Sequence, residues 1–139
     1  VDLDDICISN TNRQLHAMSS TVGHMKTDVM KQRLLDINPQ CNITIIHDFI
    51  SVDNVYDILD SMLPQLTVCV DAIDGQVQKT ALIAACCVRR VPIVTCGGAA
   101  GRTDPTKIVC DDLTKAIECR LLFQCRKALR DEYTLFPKG

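Results

Sequence analysis

The chain has 139 residues, of which 47% are hydrophobic and 23% charged, and its formal net charge is -2. These values are typical of one soluble globular domain over residues 1–139, and they exclude a chain that attracts nucleic acid over its whole surface. Aromatic residues make up only 4%, so base stacking on aromatic side chains is not expected to carry binding. No apolar stretch approaches the roughly 20 residues of a membrane span, so no span is expected.

Helical and strand patterns alternate along the chain. Hydrophobic residues at helical spacing alternate with short β-branched or continuously apolar runs, and an Asn-Pro pair at Asn38 separates the first helix from the first strand. Continuous apolar runs are typical of strands covered on both faces, as in a parallel sheet. The order predicts an α/β fold with a doubly wound, Rossmann-like, mostly parallel sheet in three α/β/α layers. The predicted helices lie near 22–36, 53–62, 76–90 and 120–133, and the predicted strands near 42–47, 66–71 and 91–96.

The nine cysteines do not indicate a disulfide framework. Their number is odd, and most lie in apolar runs, which is typical of free thiols in a reducing compartment. No CxxC pair occurs, so a structural zinc site is not expected. We therefore expect a cytoplasmic location, or an organelle if the source is eukaryotic, and we expect Cys119 and Cys125 to have structural roles.

A glycine-rich loop follows the last predicted strand. Residues 97–106 read GGAAGRTDPT, which matches neither GxGxxG nor GxxxxGK[ST]. The loop runs into Arg-Thr-Asp-Pro-Thr, which is typical of a turn. The loop alone therefore favours a sharp turn over a loop that binds phosphate.

Polar residues cluster at two predicted strand ends. Asp2, Asp4 and Asp5 open the chain, and Asp71 and Asp74 follow the apolar run VCV. Ligands bind at the carboxyl ends of strands in doubly wound sheets, where carboxylates contact a ribose or Mg²⁺. These residues, with the nearby basic side chains, predict a nucleotide–Mg²⁺ site. A solvated polar surface remains an equal alternative, because spacing alone does not decide between the two.

Five motifs in order give the chain a recognisable pattern. They are DLDDICISNTNRQ, VGHMK, INPQC, VDAID and VPIVTCGGAAGRTDPTKI, and together they resemble the ubiquitin-activating-type superfamily of adenylate-forming enzymes (the ThiF, MoeB and HesA relatives). Asn-Thr-Asn-Arg-Gln, the loop from Gly97 to Thr106 and the lack of CxxC pairs point to the tRNA threonylcarbamoyladenosine dehydratases within it.

The resemblance implies a role for each matching position. Asp2 and Asp4 correspond to the ribose-contacting acids, and Asp74 to the Mg²⁺-linked aspartate, with Asp71 beside it. The implied catalytic residues are Arg13, Lys26 and Asp74; the implied nucleotide-binding residues are Asp2, Asp4, Asn10, Arg13, Gln14 and Lys26; the implied metal ligand is Asp74. We expect six of these residues to converge on one cleft: Asp2, Asp4, Asn10, Arg13, Lys26 and Asp74.

The resemblance also implies an activity. ATP and Mg²⁺ would serve to adenylate the carboxylate of threonylcarbamoyladenosine in tRNA, and the modification would then cyclise with net loss of water. The expected partners are the modified tRNA, a second copy in a homodimer, and a sulfurtransferase-type protein. Basic residues that could meet tRNA, or could equally be solvated charges, are Arg89, Arg90, Arg102, Lys107, Arg120, Arg126, Lys127 and Arg130.

Two alternatives stay open. The chain could activate the C-terminal glycine of a ubiquitin-like sulfur carrier, or it could be an inactive partner or fragment. Members of the superfamily begin with a strand and a glycine-rich ATP loop, whereas this sequence starts at Val1. We therefore expect a fragment without that strand and loop, and weak ATP binding by residues 1–139 alone. His16, His24 and His47 are expected to be structural or solvated.

Overall fold

The computed structural model describes residues 1–99, 101–116 and 118–134. These residues form four α-helices, two β-strands and three short 3-10 turns. None of the helices in these ranges is long and apolar enough to cross a membrane. The helices are α1 (Lys26–Ile37), α2 (Val55–Met62), α3 (Gln76–Arg89) and α4 (Arg120–Asp131); the strands are β1 (Cys69–Asp71) and β2 (Ile93–Thr95); the turns are Ile8–Asn10, Pro105–Lys107 and Leu113–Lys115.

The chain divides into two compact units, Val1–Ile50 and Ser51–Gly139. Each is described by itself below. The expectation of a single domain over residues 1–139 stays a prediction.

The first unit is organised around Ile6, which is 1% exposed. The Ile6 N–H donates to the His24 carbonyl, and the Gly23 N–H donates to the Ile6 carbonyl, each at 2.9 Å. Helix α1 begins at Lys26 and not near residue 22, because Gly23 has φ 85°, a left-handed conformation outside a helix. It ends at Ile37, directly before Asn38-Pro39, as predicted.

The predicted strand near 42–47 is wrong. Residues 41–47 have no regular secondary structure, although their β-branched composition favours a strand. This segment is linked to the start of the chain by a backbone hydrogen bond, in which the Asp2 N–H donates to the Ile46 carbonyl at 3.3 Å. A strand needs a ladder of such bonds with a neighbour, so residue propensity by itself was insufficient.

The second unit contains the parallel sheet. β1 and β2 pair in parallel, with Cys69 opposite Ile93 and Asp71 opposite Thr95, which confirms the predicted parallel arrangement. Both strands are shorter than predicted, but they lie inside the predicted ranges. Helix α3 connects them, so the arrangement is a β-α-β unit.

Helix α3 forms the centre of the core. Its residues from Lys79 to Cys86 are all buried. Ile83 and Ala84 pack with Cys125 and Leu129 of α4 in one hydrophobic cluster, and Ile93 of β2 packs against it. Successive strand residues point to opposite faces of a sheet, so Val70 and Val94 lie on the face away from this cluster. Both side chains are exposed.

The start of α2 is capped reciprocally. The N-cap residue of the helix is Asn54. The Ser51 N–H donates to Asn54 Oδ1 at 2.8 Å, and the Asn54 N–H donates to Ser51 Oγ at 3.2 Å. Ser51 and Asn54 therefore close the turn that leads into α2, in the manner of a capping box.

Candidate functional site

Antiparallel contact between the chain start and the entry to α1 brings three predicted site residues together. The Lys26 N–H donates to the Asp4 carbonyl at 3.0 Å, and Lys26 Nζ donates to Asp4 Oδ2 at 2.6 Å. Asp2 Oδ1 accepts the Asp4 N–H at 2.8 Å. The Asp4 side chain is 51% exposed and that of Lys26 17%. This pair can therefore still be reached by a ligand.

The turn Ile8–Asn10 positions the next group. Asn10 is 9% exposed, and its Oδ1 accepts the Cys7 N–H at 3.0 Å. The Asn10 carbonyl accepts the N–H groups of Arg13 and Gln14, at 3.1 and 2.9 Å. The side-chain oxygen and the carbonyl of Asn10 thus both shape the loop that carries Arg13 and Gln14.

Arg13 and Gln14 differ in their surroundings. Arg13 is exposed, and one terminal nitrogen of its guanidinium donates to the Ser9 carbonyl and to Asn12 Oδ1, each at 2.9 Å. A guanidinium carries five N–H groups, so donors remain for an anion. Gln14 Oε1 is buried and accepts no hydrogen bond from the described residues. The remaining N–H groups of Arg13 and the Oε1 atom of Gln14 are therefore available to a ligand.

In the second unit, Asp71 is not free to bind a ligand. Its Oδ1 accepts the Ile73 N–H at 2.9 Å, and its Oδ2 accepts from Lys79 Nζ at 2.7 Å and from the Thr95 hydroxyl. Asp71 is 1% exposed and Lys79 0%. The carboxylate predicted beside Asp74 is therefore part of an internal network.

Asp74 has the opposite character. It is exposed, and none of the residues in the described ranges forms a hydrogen bond or ion pair with its carboxylate. Those ranges contain no group of three or more His, Cys, Asp or Glu arranged for a metal. A single exposed carboxylate such as that of Asp74 suits Mg²⁺, because this ion keeps several waters and binds through one or two carboxylates plus substrate phosphates. Convergence of Asp74 with the residues of the first unit stays a prediction.

The glycine loop is attached to the start of α4. The Gly98 N–H donates to Cys119 Sγ at 3.2 Å, and Arg102 donates to the carbonyls of Gly98 and Glu118, at 3.0 and 2.7 Å. A Cβ on Gly97 would lie 2.9 Å from Cys119 Sγ. The first glycine is therefore needed for the close approach of the sulfur, and the structure agrees with the structural role expected for Cys119.

The surroundings of Cys119 change its acidity. Burial acts to raise the pKa of the thiol, but N–H donors from Leu122, Gly98 and Leu121 and the charge of Arg102 outweigh burial and lower that pKa below its ordinary value. Cys125 is 0% exposed, and burial raises its pKa. All nine cysteines are free.

The basic residues of the second unit fall into two groups. Arg89 forms two bonds of 2.7 Å with Asp60 and stacks over Tyr56 at 5.1 Å. Arg126 is 7% exposed and donates to three carbonyls in and directly after the turn Leu113–Lys115. These two, with Arg102, serve the fold and do not support the predicted tRNA contact. The exposed members include Arg90, Lys107, Arg120 and Lys127.

The three histidines have no common site. His24 Nδ1 lies 3.2 Å from the Thr21 carbonyl, and His47 Nε2 lies 3.1 Å from Asp28 Oδ1. His16 Nε2 is buried and accepts or donates no bond among the described residues. The contacts of His24 and His47 are local or exposed.

Sequence reasoning missed Lys79. A detectable feature was its position, since Lys79, Ile83 and Cys86 recur at helical spacing on one buried stripe of α3. A lone charge on an apolar stripe indicates a buried partner. The strand-end aspartate Asp71 provides it.

Comparisons with known proteins identify the family of the chain. The model of the ThiF family matches residues 1–136. The tRNA threonylcarbamoyladenosine dehydratase of Haemophilus influenzae is 47% identical over 133 residues, which are 96% of this chain and 50% of the relative. The Escherichia coli protein of the same name is 42% identical, over 96% of this chain and 48% of its own length. The chain thus spans about half the length of the curated relatives it matches.

Solved structures give the same result. The crystal structure of the E. coli tRNA N6-threonylcarbamoyladenosine dehydratase superposes with a TM-score of 0.93 at 40% identity, covering 99% of this chain and 56% of that one. The structure of that protein in complex with ATP matches equally well. The likeness confirms the predicted α/β, Rossmann-like fold class.

Proposed function

Because the chain belongs to the ThiF family, we propose that it provides part of an ATP-dependent enzyme that acts on threonylcarbamoyladenosine in tRNA. The enzyme adenylates the carboxylate of this modification and then closes it into a ring. The observation that carries the proposal is the likeness of nearly the whole chain to dehydratases of this name, at 47% and 42% identity. The match to a relative solved with bound ATP supports the nucleotide.

The first step joins the carboxylate to AMP. A carboxylate oxygen attacks the α-phosphorus of ATP, and pyrophosphate leaves. Negative charge builds on the phosphate oxygens, so catalysis depends on positioned donors. We assign this role to Arg13, which retains free N–H groups, and to Lys26, whose ammonium is held against Asp4 at 2.6 Å.

The remaining predicted residues bind the nucleotide. Asp2 and Asp4 contact the ribose hydroxyls, while Asn10 holds the loop that bears Arg13 and Gln14. The unpartnered Gln14 Oε1 accepts a donor from the ligand. Asp74 would hold Mg²⁺, which when bound neutralises charge on the phosphates. An exposed carboxylate without an internal partner suits this role.

The second step needs no protein nucleophile. The carbamoyl group of the same modification attacks the activated carbonyl carbon, loses a proton and expels AMP, so that the net change is loss of one water. The chain's contribution is to hold the reacting groups in place. Cys119 is bound to the glycine loop and Cys125 is buried, which suits a mechanism without thiol chemistry.

We propose three partners for the enzyme: the modified tRNA, a second copy of the enzyme and a sulfurtransferase-type protein. The exposed basic residues Arg90, Lys107, Arg120 and Lys127 contact the tRNA backbone, because phosphates attract exposed Lys and Arg. The enzyme is a homodimer in the cytoplasm, or in an organelle of a eukaryotic source, and it works with a sulfurtransferase-type partner. Pull-down of that partner and the measured mass of the assembly test these two points.

A chimera tests the reaction. We define the E. coli chimera as the E. coli relative in which this chain replaces the matching segment. We expect AMP release that requires both ATP and tRNA bearing threonylcarbamoyladenosine, together with loss of one water from the nucleoside by mass spectrometry. The matched control is the same tRNA without the modification. Release of AMP that is indifferent to the modification contradicts the proposal.

A second candidate is activation of a sulfur-carrier protein. A probable molybdopterin-synthase adenylyltransferase of Pyropia yezoensis is 36% identical, but over only 59 residues, which are 42% of this chain. ATP–pyrophosphate exchange separates the two functions. Stimulation by a carrier ending in Gly-Gly, and not by modified tRNA, favours the second candidate.

A further inference from the structure

A buried charge pair joins helix α3 to the ends of both strands. Lys79 Nζ lies 2.7 Å from Asp71 Oδ2 and 3.3 Å from Thr95 Oγ1. The side chains of Lys79 and Asp71 are both 0% exposed. Two charges withdrawn from water are a poor source of stability, because desolvation opposes their attraction. A pair at this position therefore calls for a role in fixing geometry.

The Asp71 carboxylate is the centre of the network. Its Oδ1 accepts the Ile73 N–H at 2.9 Å, while Oδ2 accepts from Lys79 and Thr95. The Asp71 backbone carbonyl also accepts the Cys96 N–H at 2.8 Å. One residue thus joins the end of β1, the loop that follows it, helix α3 and the end of β2.

Lys79 fixes both ends of that loop. Only Ala72, Ile73 and Asp74 lie between Asp71 and Gly75, the N-cap of α3. The Lys79 N–H donates to the Gly75 carbonyl at 3.0 Å, while its ammonium binds Asp71. Asp74 itself is exposed and has no bond to the described residues, so the two ends of the loop determine where its carboxylate lies.

We propose that Lys79, with Asp71 and Thr95, positions Asp74 for metal binding. The inference rests on the proposed function of Asp74 as the Mg²⁺ ligand. Lys79 is a positioning residue, since it is fully buried and acts through Asp71. Loss of the network releases the loop 72–75 even where the rest of the second unit stays folded.

Three variants of the chain test the network. Thr95→Val removes one hydroxyl and keeps both charges, whereas Asp71→Leu with Lys79→Met removes the two charges together, which avoids an unpaired buried ion. The matched control is Thr80→Val, because buried Thr80 donates instead to the Gln76 carbonyl at 2.7 Å. Should the double variant fail to fold, Thr95→Val decides.

Amide hydrogen exchange measured by NMR gives a readout that does not depend on activity. We expect exchange at Ile73, whose N–H donates to Asp71 Oδ1, to accelerate on the order of tenfold or more in the network variants, with Ile83 and Ala84 in the core unchanged. Thr80→Val leaves all three amides as in the parent chain. Unchanged exchange at Ile73 in Thr95→Val overturns the proposal.

The Mg²⁺ dependence of the E. coli chimera gives the second readout. We expect Thr95→Val to raise the Mg²⁺ concentration for half-maximal AMP release several-fold, in the same direction as Asp74→Ala. If Asp74→Ala leaves this concentration unchanged, the proposed metal role of Asp74 fails and the inference with it. If Asp74→Ala raises it and Thr95→Val does not, only the positioning role of Lys79 is overturned.

Discussion

The two units each contain a lysine–aspartate pair, and the pairs differ in their burial. Lys26 and Asp4 lie 2.6 Å apart with side chains 17% and 51% exposed, whereas Lys79 and Asp71 lie 2.7 Å apart with both fully buried. The first pair keeps access to solvent. The second pair is enclosed, and both of its charged groups form hydrogen bonds within the fold. Distance alone would classify them as the same interaction.

The difference shows which pair can serve a ligand. An exposed pair contributes about 0–1 kcal/mol to stability, so a bound phosphate can compete for its lysine at small cost. A buried pair that loses one partner leaves an uncompensated charge, which costs about 3–5 kcal/mol. These energies support the proposals of ligand binding at Lys26 and structural positioning at Lys79.

The largest expected effect is on stability. Lys79→Met should lower the free energy of unfolding by about 3–5 kcal/mol, because Asp71 remains buried and unpaired. The matched control, Lys26→Met, should cost no more than about 1 kcal/mol. Urea unfolding followed by circular dichroism measures both. Equal losses for the two variants would remove the distinction between the pairs.

The next effect is on the reaction. Arg13→Ala and Lys26→Ala in the E. coli chimera should each slow adenylation about a hundredfold, since each removes a charge directed at the developing phosphate charge. ATP-dependent AMP release with modified tRNA measures the rate. Lys115→Ala, at an exposed position whose ammonium pairs with Asp111, is the control and should retain the adenylation step. Near-normal rates for Arg13→Ala and Lys26→Ala contradict their assignment.

Thiols extend the comparison of exposed and buried groups. Cys119 has a lowered pKa, because its N–H donors and Arg102 outweigh burial, whereas burial raises the pKa of Cys125. At neutral pH, iodoacetamide should modify Cys119 before Cys125, since the thiolate is the reactive form. Mass spectrometry of the peptides gives the order, and unfolding should expose all nine thiols. Faster labelling of Cys125 contradicts this prediction.

The smallest effect concerns a pair at the surface of the second unit. The hydrogen bond from Arg89 lowers the pKa of Asp60. The pair therefore stabilises the fold above the ordinary aspartate pKa of about 3.9, and this contribution is lost as the pH falls through the folded value. Thermal unfolding of the parent chain and of Asp60→Asn should differ slightly at neutral pH and converge below about pH 4. A stability difference that widens in acid contradicts the predicted contribution of the Arg89–Asp60 pair.

The sequence predicted the helices well, because their apolar stripes and stop residues are local. Helix α3 begins at Gln76 as predicted, and α1 ends before Asn38. The start of α1 could not be predicted, since it depends on the left-handed conformation of Gly23. The strand near 42–47 failed for another reason: strands require a partner, and composition does not identify one.

The candidate site was predictable in part. Motif order identified Asp4 and Lys26, and the structure brings them into contact. Position at the strand end grouped Asp71 with Asp74, although one is buried in a network and the other is exposed, and only the family resemblance gave Asp74 the metal role. Spacing along a strand end does not show which carboxylate faces the core, and Lys79 was identifiable only by its place on an apolar stripe.

The contact between Gly97 and Cys119 has a consequence for the variation of this sequence. Any side chain at position 97 would bring a carbon within 2.9 Å of the sulfur and 3.2 Å of Leu122. Position 97 can therefore gain a methyl group only where position 119 has lost its sulfur or the loop has moved. The two positions should covary among homologues, and laboratory evolution should accept their changes together and reject a change at 97 alone.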